Sequence, residues 1–378
     1  MKHKLTTWLV CVLAAISAYS QPDGKFADYL GKVTLDELKI KECPYDSTAD
    51  AIMLYDLGDV YYSDESNFYK GLKFVVTTAY YQRVKVLTRK GIENANYTLV
   101  YYTHSKDTIT NIKAVAYNLS PDGKIQATHF DPATVRIEKI SEYQSRVIFK
   151  VPDVTTGTVF EVSYQKKQYL QYSMPDWHFN SEIPSYVSRL RIGFIDAFDY
   201  YVAQRVKHDS FQVKQERYTS SVSAALFSTK NELLPGTVVT FSAYNLPAIR
   251  KEPYMNSWLN YTNYVKFQLR GYLPPFTSNS PLINGWKQFN KHVLNYWGLA
   301  RNIETGGIPA KTLEPLTQHL TDTLEKAKAI FEFVRNNMEY NQLFTINLEE
   351  NSTTVWENKK GSNSEINALL INALRKSG

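Results

Sequence analysis

Two periodicities divide this chain. Between residues 72 and 273 apolar and polar positions alternate in short runs, whereas beyond residue 284 they recur every three or four residues. FVVTTAYYQRVKVLTRKG (74–91) alternates at Arg83-Val84-Lys85-Val86 and stops at Gly91. YTLVYY (97–102) and IKAVAYNLSPDGKI (112–125) follow, the latter folded back at Pro121-Asp122-Gly123. SRVIFKVPDVTTGTVFEVSYQKKQYLQYS (145–173) holds two more runs around a loop at Gly157. SRLRIGFI, YYVAQRV, TVVTFSAYNL and NYVKFQLRGY continue the series. Many short strands with closely spaced turns predict antiparallel sheets packed as a sandwich, with a barrel as the other arrangement.

At Pro274-Pro275 the character changes. Residues 274–283 read as a linker, and three helices follow. Trp286, Phe289, Val293 and Tyr296 give the apolar face of the first. Asp322 caps the second, whose face is Leu324, Ala327, Phe331, Val334 and Met338. The third carries Ile366, Leu369, Leu370, Ala373 and Leu374 as one stripe, and Ser362 stands three residues before Glu365, the spacing of a capping box. The fold class is therefore mixed: mainly β, with an α+β C-terminus.

Composition adds a compartment. Hydrophobic content of 43% and charged content of 21% fit a globular protein, and 14% aromatic residues with 28 Tyr lean the first two thirds towards strands. MKHKLTTWLVCVLAAISAYSQPDG opens with Lys2, His3 and Lys4, runs apolar from Leu5 to Ala18, and offers a small-residue cleavage site at Ala18-Tyr19-Ser20. Residues 1–20 read as a cleaved export signal, and Cys11 lies within it. The order expected after it is an extended segment (21–71), the sandwich (72–273), the linker (274–283) and a C-terminal domain (284–378). Cleavage removes Lys2 and Lys4 from a formal +6, and the remaining basic residues are scattered pairs, so nucleic acid is not an expected partner. No later run is long enough to span a membrane. Cys43 is then the one cysteine left, so no intramolecular disulfide is expected.

Much chemistry can be set aside. The sequence has no H-E-x-x-H, C-x-x-C, Walker loop or G-x-G-x-x-G, and His104, His129, His178, His208, His292 and His319 are isolated, so no metal or other cofactor is expected. Cys43, ahead of Pro44, reads as a structural or exposed thiol and not as a nucleophile.

LEKAKAIFEFVRNNMEYN (324–341) followed by VWENKKGSNSEINALLINALRKSG (355–378) resembles the start of a transglutaminase-like domain of the papain-like cysteine-enzyme superfamily. Trp356, Gly361, Glu365, Leu369, Leu370, Leu374, Arg375 and Gly378 fall on that family's pattern without a gap. RVKVLTRKG, VPDVTTGTVFEVSY, WHFNSEIP and NLPAIRKEPYM are similar to a β-sandwich domain of unknown function that precedes such domains in exported Bacteroidota proteins. The resemblance implies the helical first half of a papain/transglutaminase-like core, with the chain ending before the family's His and Asp. It also implies a Gram-negative periplasm or outer surface.

The position matching the family's cysteine is Asn363. A helix N-terminus lowers a thiol's pKa, and an amide has no proton to lose there. Ser362 and Ser364 flank it, but Ser362 serves as the cap, and a serine would need a base held against it. Loss of a triad nucleophile costs about a million-fold in rate, roughly 8 kcal/mol. The reading is a non-catalytic envelope protein that binds a protein or glycan partner or serves in assembly. The alternatives are an active transglutaminase-like or protease-like enzyme with an atypical nucleophile, and a carbohydrate-binding sandwich. Ser47, Thr108 and Thr323, each after an Asp, resemble the O-glycosylation acceptors of exported Bacteroidota proteins.

Overall fold

The computed structural model describes residues 26, 28–64, 74–103, 106–141, 144–168, 174–207, 209–223, 233–250, 252–273, 280–281, 285–295, 298–345 and 348–378. The expected export signal, His104, His208 and most of the expected linker lie outside these residues. A short helix α1 (Leu35–Lys39) precedes strands β1 (Ala51–Asp64), β2 (Phe74–Val86), β3 (Asn96–Tyr102), β4 (Thr108–Leu119), β5 (Ile125–His129), β6 (Arg136–Lys139), β7 (Gln144–Lys150) and β8 (Val159–Gln168). Then come β9 (Trp177–His178), β10 (Ser185–Ile195), β11 (Phe198–Arg205), β12 (Gln212–Ser223), β13 (Leu233–Leu246), β14 (Tyr264–Tyr272) and β15 (Ser280–Pro281). The C-terminal part holds α2 (Trp286–Asn295), α3 (Leu299–Glu304), α4 (Ala310–Thr317), α5 (Thr323–Asn337), β16 (Glu339–Tyr340), α6 (Ser352–Asn358), β17 (Lys360–Gly361) and α7 (Asn363–Lys376).

One open sheet organises the β portion, in the order β12-β13-β10-β1-β2-β8-β4-β5. It has two edges and is no barrel. Two small sheets cover one of its faces: β11-β14-β15 with β9 added to β14, and β3-β7-β6. Val60, Val76, Leu190, Ile192 and Phe241 form a core with Trp177, Val265 and Phe267 under the first. Ala51, Val84, Ala116, Phe160 and Val162 form another with Val147 and Phe149 under the second. The sandwich is thus one sheet against two. A second departure from the expected pattern is that β1 and β10 run parallel, in register from Met53↔Ser185 to Val60↔Ile192.

The sheet also begins earlier than the alternation implied. β1 lies in the stretch expected to be extended, yet it pairs with both β2 and β10 at the sheet's centre. The reason is a bulge. Pairing with β2 steps from Met53↔Val84 to Tyr55↔Arg83, leaving Leu54 as an extra residue. A one-residue insertion reverses which face each later side chain takes. Ala51 and Met53 join the covered face before the bulge, whereas Val60 and Tyr62 join it afterwards. A single alternation count therefore misses the strand.

The bulge also carries Asp56 to the covered face. Asp56 Oδ1 accepts from Gln82 Nε2 at 2.9 Å, and Gln82 Oε1 accepts from Tyr97 OH at 3.0 Å. Burial pushes the Asp56 carboxyl from the ordinary 3.8 up to about 6, against the stabilising donor from Gln82.

The sheet's other face is closed by residues 26–50. Phe26 packs on Leu57, Ala79 and Tyr81. Leu38, Cys43 and Ala49 pack on Ile52, Leu54, Tyr117 and Val159. Between these clusters lies a buried polar network. Arg83 and Glu161 are 3% and 1% exposed and are joined at 2.6 Å. Glu161 also accepts from Tyr81 OH at 2.5 Å, Tyr117 OH at 3.0 Å and the Gly31 N–H at 2.9 Å. Arg83 donates onward to Glu37 Oε1 at 2.6 Å and to the Tyr29 carbonyl at 2.5 Å. Lys85, 1% exposed, donates to the carbonyls of Leu38 and Gly157, both at 2.5 Å. Burial brings its ammonium down to about 8.

In the C-terminal part Ile308, Leu313, Ile330, Val334, Val355, Leu369 and Ala373 make one core. Two expected helix faces are corrected. On α5 the buried positions are Ile330 and Val334, with Phe333 and Met338 packed beside them, while Leu324 and Phe331 are 59% and 50% exposed. The chosen stripe lay to one side of the true one, because α5 is apolar over more of its circumference than it buries. Trp286, at the start of α2, is 80% exposed. The side chains of Val293 and Tyr296 lie outside the described residues.

Two stability outcomes follow. Glu161→Ala leaves the Arg83 charge buried without its main partner and should cost about 3–5 kcal/mol in urea unfolding, whereas Arg83→Met with Glu161→Leu should recover most of it. Asp56 has a folded pKa above its unfolded one, so its contribution is complete below about pH 4 and is lost as pH rises through about 6. Asp56→Asn should therefore be more stable than the parent at pH 7.5, with a flatter stability profile across that window.

Candidate functional site

The N-terminus of α7 starts where the sequence places it. Glu365 N donates to Ser362 Oγ at 3.3 Å and Ser362 N donates to Glu365 Oε2 at 2.7 Å, a complete capping box. Ser362 is fully buried and Glu365 is 5% exposed. The approach to the cap is tight: a Cβ on Gly361 would stand 3.0 Å from Val355 Cγ1 and 3.3 Å from Glu365. Ile366, Leu369, Leu370, Ala373 and Leu374 all join the helical core, with Trp356 against Phe333 at 5.7 Å between ring centres.

Asn363 is the first helical residue. Its Oδ1 accepts from the Thr345 N–H at 2.8 Å, and its own N–H donates to the Leu343 carbonyl at 3.4 Å. Ser364 Oγ donates to the Thr345 carbonyl. Glu365 Oε1 takes the N–H groups of Glu349 and Glu350 at 3.1 and 2.9 Å. Upstream, Glu339 N donates to the Lys359 carbonyl at 2.8 Å and Asn341 N to that of Gly361 at 3.0 Å, so β16 and β17 run parallel. Residues 339–345 and 348–350 are thereby stitched across the front of α7, and three consecutive side chains hold Thr345, Glu349 and Glu350. Sequence reasoning singled out Asn363 but missed what it does: its amide oxygen accepts from the Thr345 N–H.

Among the described residues, the Ser362 hydroxyl accepts from the Glu365 N–H and the Ser364 hydroxyl donates to the Thr345 carbonyl, with no histidine or carboxylate among these partners. No group of three His, Cys, Asp or Glu side chains among the described residues is placed to hold a metal ion. Cys43 is buried, at 2% exposure, in the core under α1. His178 Nδ1 lies 2.6 Å from Thr262 Oγ1, and burial holds the ring below its usual pKa, aided by Lys266. Ser47, Thr108 and Thr323 are all exposed, on a turn, on β4 and at the start of α5. They are not brought together. The cavities of about 680, 570 and 320 Å³ are lined by residues of the β portion, away from α7.

Comparison with known proteins agrees with this layout. Residues 75–250 match the family described as "Domain of Unknown Function with solved-structure structure (DUF3857)". Residues 310–378 match the "Transglutaminase-like superfamily". The chain carries a DUF3857 domain followed by a transglutaminase-like core domain. The DUF3857 match begins at β2, so β1, at the centre of the DUF3857 sheet, lies outside the matched residues. A crystal structure described as a "putative protease" from Parabacteroides distasonis ATCC 8503 shares the fold, with a TM-score of 0.59 at 13% identity. The alignment covers 87% of this chain and 59% of that one, so this chain spans under two thirds of that protein's length. A "putative nutrient binding protein" from Legionella pneumophila subsp. pneumophila str. Philadelphia 1 aligns over 89% of this chain and 96% of its own. Its TM-score of 0.24 at 7% identity is no likeness of fold. No curated protein matches the chain. Among the described residues no helix is long and apolar enough to cross a membrane.

The hydrogen-bond pattern fixes an order of effects at the α7 N-terminus. Asn363→Ala should cost about 1 kcal/mol by orphaning the Thr345 N–H. Glu365→Ala strands three N–H groups and should cost about 3 kcal/mol or more, with Glu365→Gln in between. Thermal unfolding of the three variants checks the ranking.

Proposed function

We propose that this is a non-catalytic protein of the cell envelope, exported by residues 1–20 to the periplasm or the outer surface, in which the transglutaminase-like core serves binding or assembly. The observation that carries the reading is the Asn363 amide. It stands at the position matching the family's cysteine, at a helix N-terminus where a thiolate would be favoured, and its oxygen is engaged with the Thr345 N–H at 2.8 Å. A neutral amide cannot attack a carbonyl carbon as a thiolate does. Ser362 is committed to the cap, and Ser364 to the Thr345 carbonyl. The helix is kept for its packing and its cap.

The test pairs an amine-incorporation assay with a restored thiol. The parent chain should incorporate no amine donor into a glutamine-containing substrate above the buffer rate. Asn363→Cys, in a Cys43→Ser background, should give a thiol whose iodoacetamide alkylation midpoint lies below the free value of about 8.5. It should still incorporate no amine, because among the described residues no histidine stands against that position to shuttle protons. Incorporation by the parent that disappears in Ser364→Ala would replace this reading with an atypical serine nucleophile. A midpoint at or above the free value would show that position 363 lacks the helix field.

A further inference from the structure

The large sheet has two edge strands, and they are built differently. β12 carries Lys214, Glu216 and Arg217 and is bulged between Thr219 and Ser223, devices that keep an edge from pairing with another chain. β5 reads IQATH, with no proline, no bulge and no Asp, Glu, Lys or Arg. Its register shows what it leaves unpaired. Phe130 N donates to the Ala114 carbonyl and Ser120 N to that of Lys124, both at 2.9 Å, so the hydrogen-bonded pairs with β4 fall at the even positions of β5. The N–H and C=O groups of Ile125, Ala127 and His129 therefore point away from the sheet, and no described residue bonds to them.

Apolar side chains flank this edge on both faces. In the small sheet β3-β7-β6, β3 lies towards the middle of the large sheet, where Tyr97 reaches Gln82 of β2, so β6 lies towards β5. Ile137 of β6 stands opposite Val147, which is 2% exposed in the core, so Ile137 is on the core-facing side of its sheet. Yet Ile137 is 67% exposed. An inward apolar side chain thus projects past the last strand of the large sheet. On the opposite face Leu119 and Ile125, paired directly across β4 and β5, are 44% and 37% exposed. A strand added to β5 would have an apolar neighbour above and below.

We propose that β5 pairs with β5 of a second copy of this chain, antiparallel about a two-fold axis at Ala127, joining two large sheets edge to edge. In that register Ile125 faces His129 across the axis and Ala127 faces Ala127, so every outward-pointing residue meets another. Each facing pair exchanges two backbone hydrogen bonds. The charges agree with this direction. Lys124 precedes the strand and Asp131 follows it, so antiparallel pairing sets the positive end of one edge beside the negative end of the other. Parallel pairing would set like charges together. Ile137 of each copy then lies over the strand contributed by the other, on the side of Gln126 and Thr128. A strand of unrelated sequence would draw nothing from this self-complementary register. The inference stands apart from the reading of α7, since it concerns the DUF3857 domain alone.

Sedimentation equilibrium of the purified chain tests it, with two variants chosen to leave the fold intact. The parent should fit a monomer–dimer equilibrium. Ala127→Pro removes an N–H that faces away from β4, so the ladder within the sheet keeps its bonds, and it should weaken the dimer at least about tenfold. Ile137→Lys, at an exposed position, should weaken it about fivefold or more. The two-fold axis also sets position 127 opposite itself with Cα atoms about 5.5 Å apart, within reach of a disulfide. In a Cys43→Ser background, Ala127→Cys should therefore give a disulfide-linked dimer under mild oxidation, and Val213→Cys on the β12 edge should not. A parent that stays monomeric overturns the proposal and leaves the edge to a strand of another protein. Self-association unchanged in both variants overturns it too, as does cross-linking of Val213→Cys that matches that of Ala127→Cys.

Discussion

A sheet whose central strands bear apolar side chains on both faces must be covered twice, and this requirement governs the β portion of the molecule. On one face the cover is conventional: two small sheets stack on the large one and exclude water over broad apolar cores. On the other face the cover is the 26–50 segment, which among the described residues has one short helix of its own. Its attachment runs through Arg83 and Glu161. These two charges are as buried as the surrounding valines, and they are tolerable because each is surrounded by partners: a carbonyl, two phenols, a backbone N–H and a second carboxylate. The network gives direction to a contact that apolar packing alone would leave free to slide.

The same bulge that brings Leu54 and Tyr55 to this second face turns Asp56 to the first. One inserted residue thus serves both sides. It lengthens the outer patch that α1 and its neighbours cover, and it puts a carboxylate under the seam between the two smaller sheets. Gln82, directly across from Asp56 in register, is placed by the strand pairing itself to meet that carboxylate.

In the C-terminal domain the constraint is the first turn of α7, where helix N–H groups need acceptors. Ser362 and Glu365 satisfy the helix and its cap, and Glu365 with Asn363 and Ser364 reaches outward to hold the backbone at Thr345, Glu349 and Glu350. Such an electropositive position would favour a thiolate if a cysteine stood there. Here it is spent on loop architecture, through an amide whose oxygen is a good acceptor and whose nitrogen is no nucleophile.

Local rules sufficed for much of this. The strands from β2 to β14 that alternate cleanly, the turn at Pro121-Asp122-Gly123, the capping box at Ser362 and the stripe on α7 are written in spacing, because one residue's neighbours three or four positions away decide them. The place of Asn363 as the first residue of α7 was legible for the same reason. β1 was not, since its bulge splits the alternation and only its partners on both sides reveal it as a central strand. α3, α4 and α6 are short, and only packing shows which of their faces is covered. The buried face of α5 was misplaced because Leu324, Phe331, Ile330 and Val334 are equally apolar in sequence, and only the packing against α4 and α7 chooses among them. Partnerships across 46 to 130 residues, such as Arg83 with Glu37 and Glu161 with Gly31, leave no trace in local spacing. A buried charge is stabilised by whichever groups the tertiary fold brings to it, and those are set by the strand order of the sheet, which no single strand encodes.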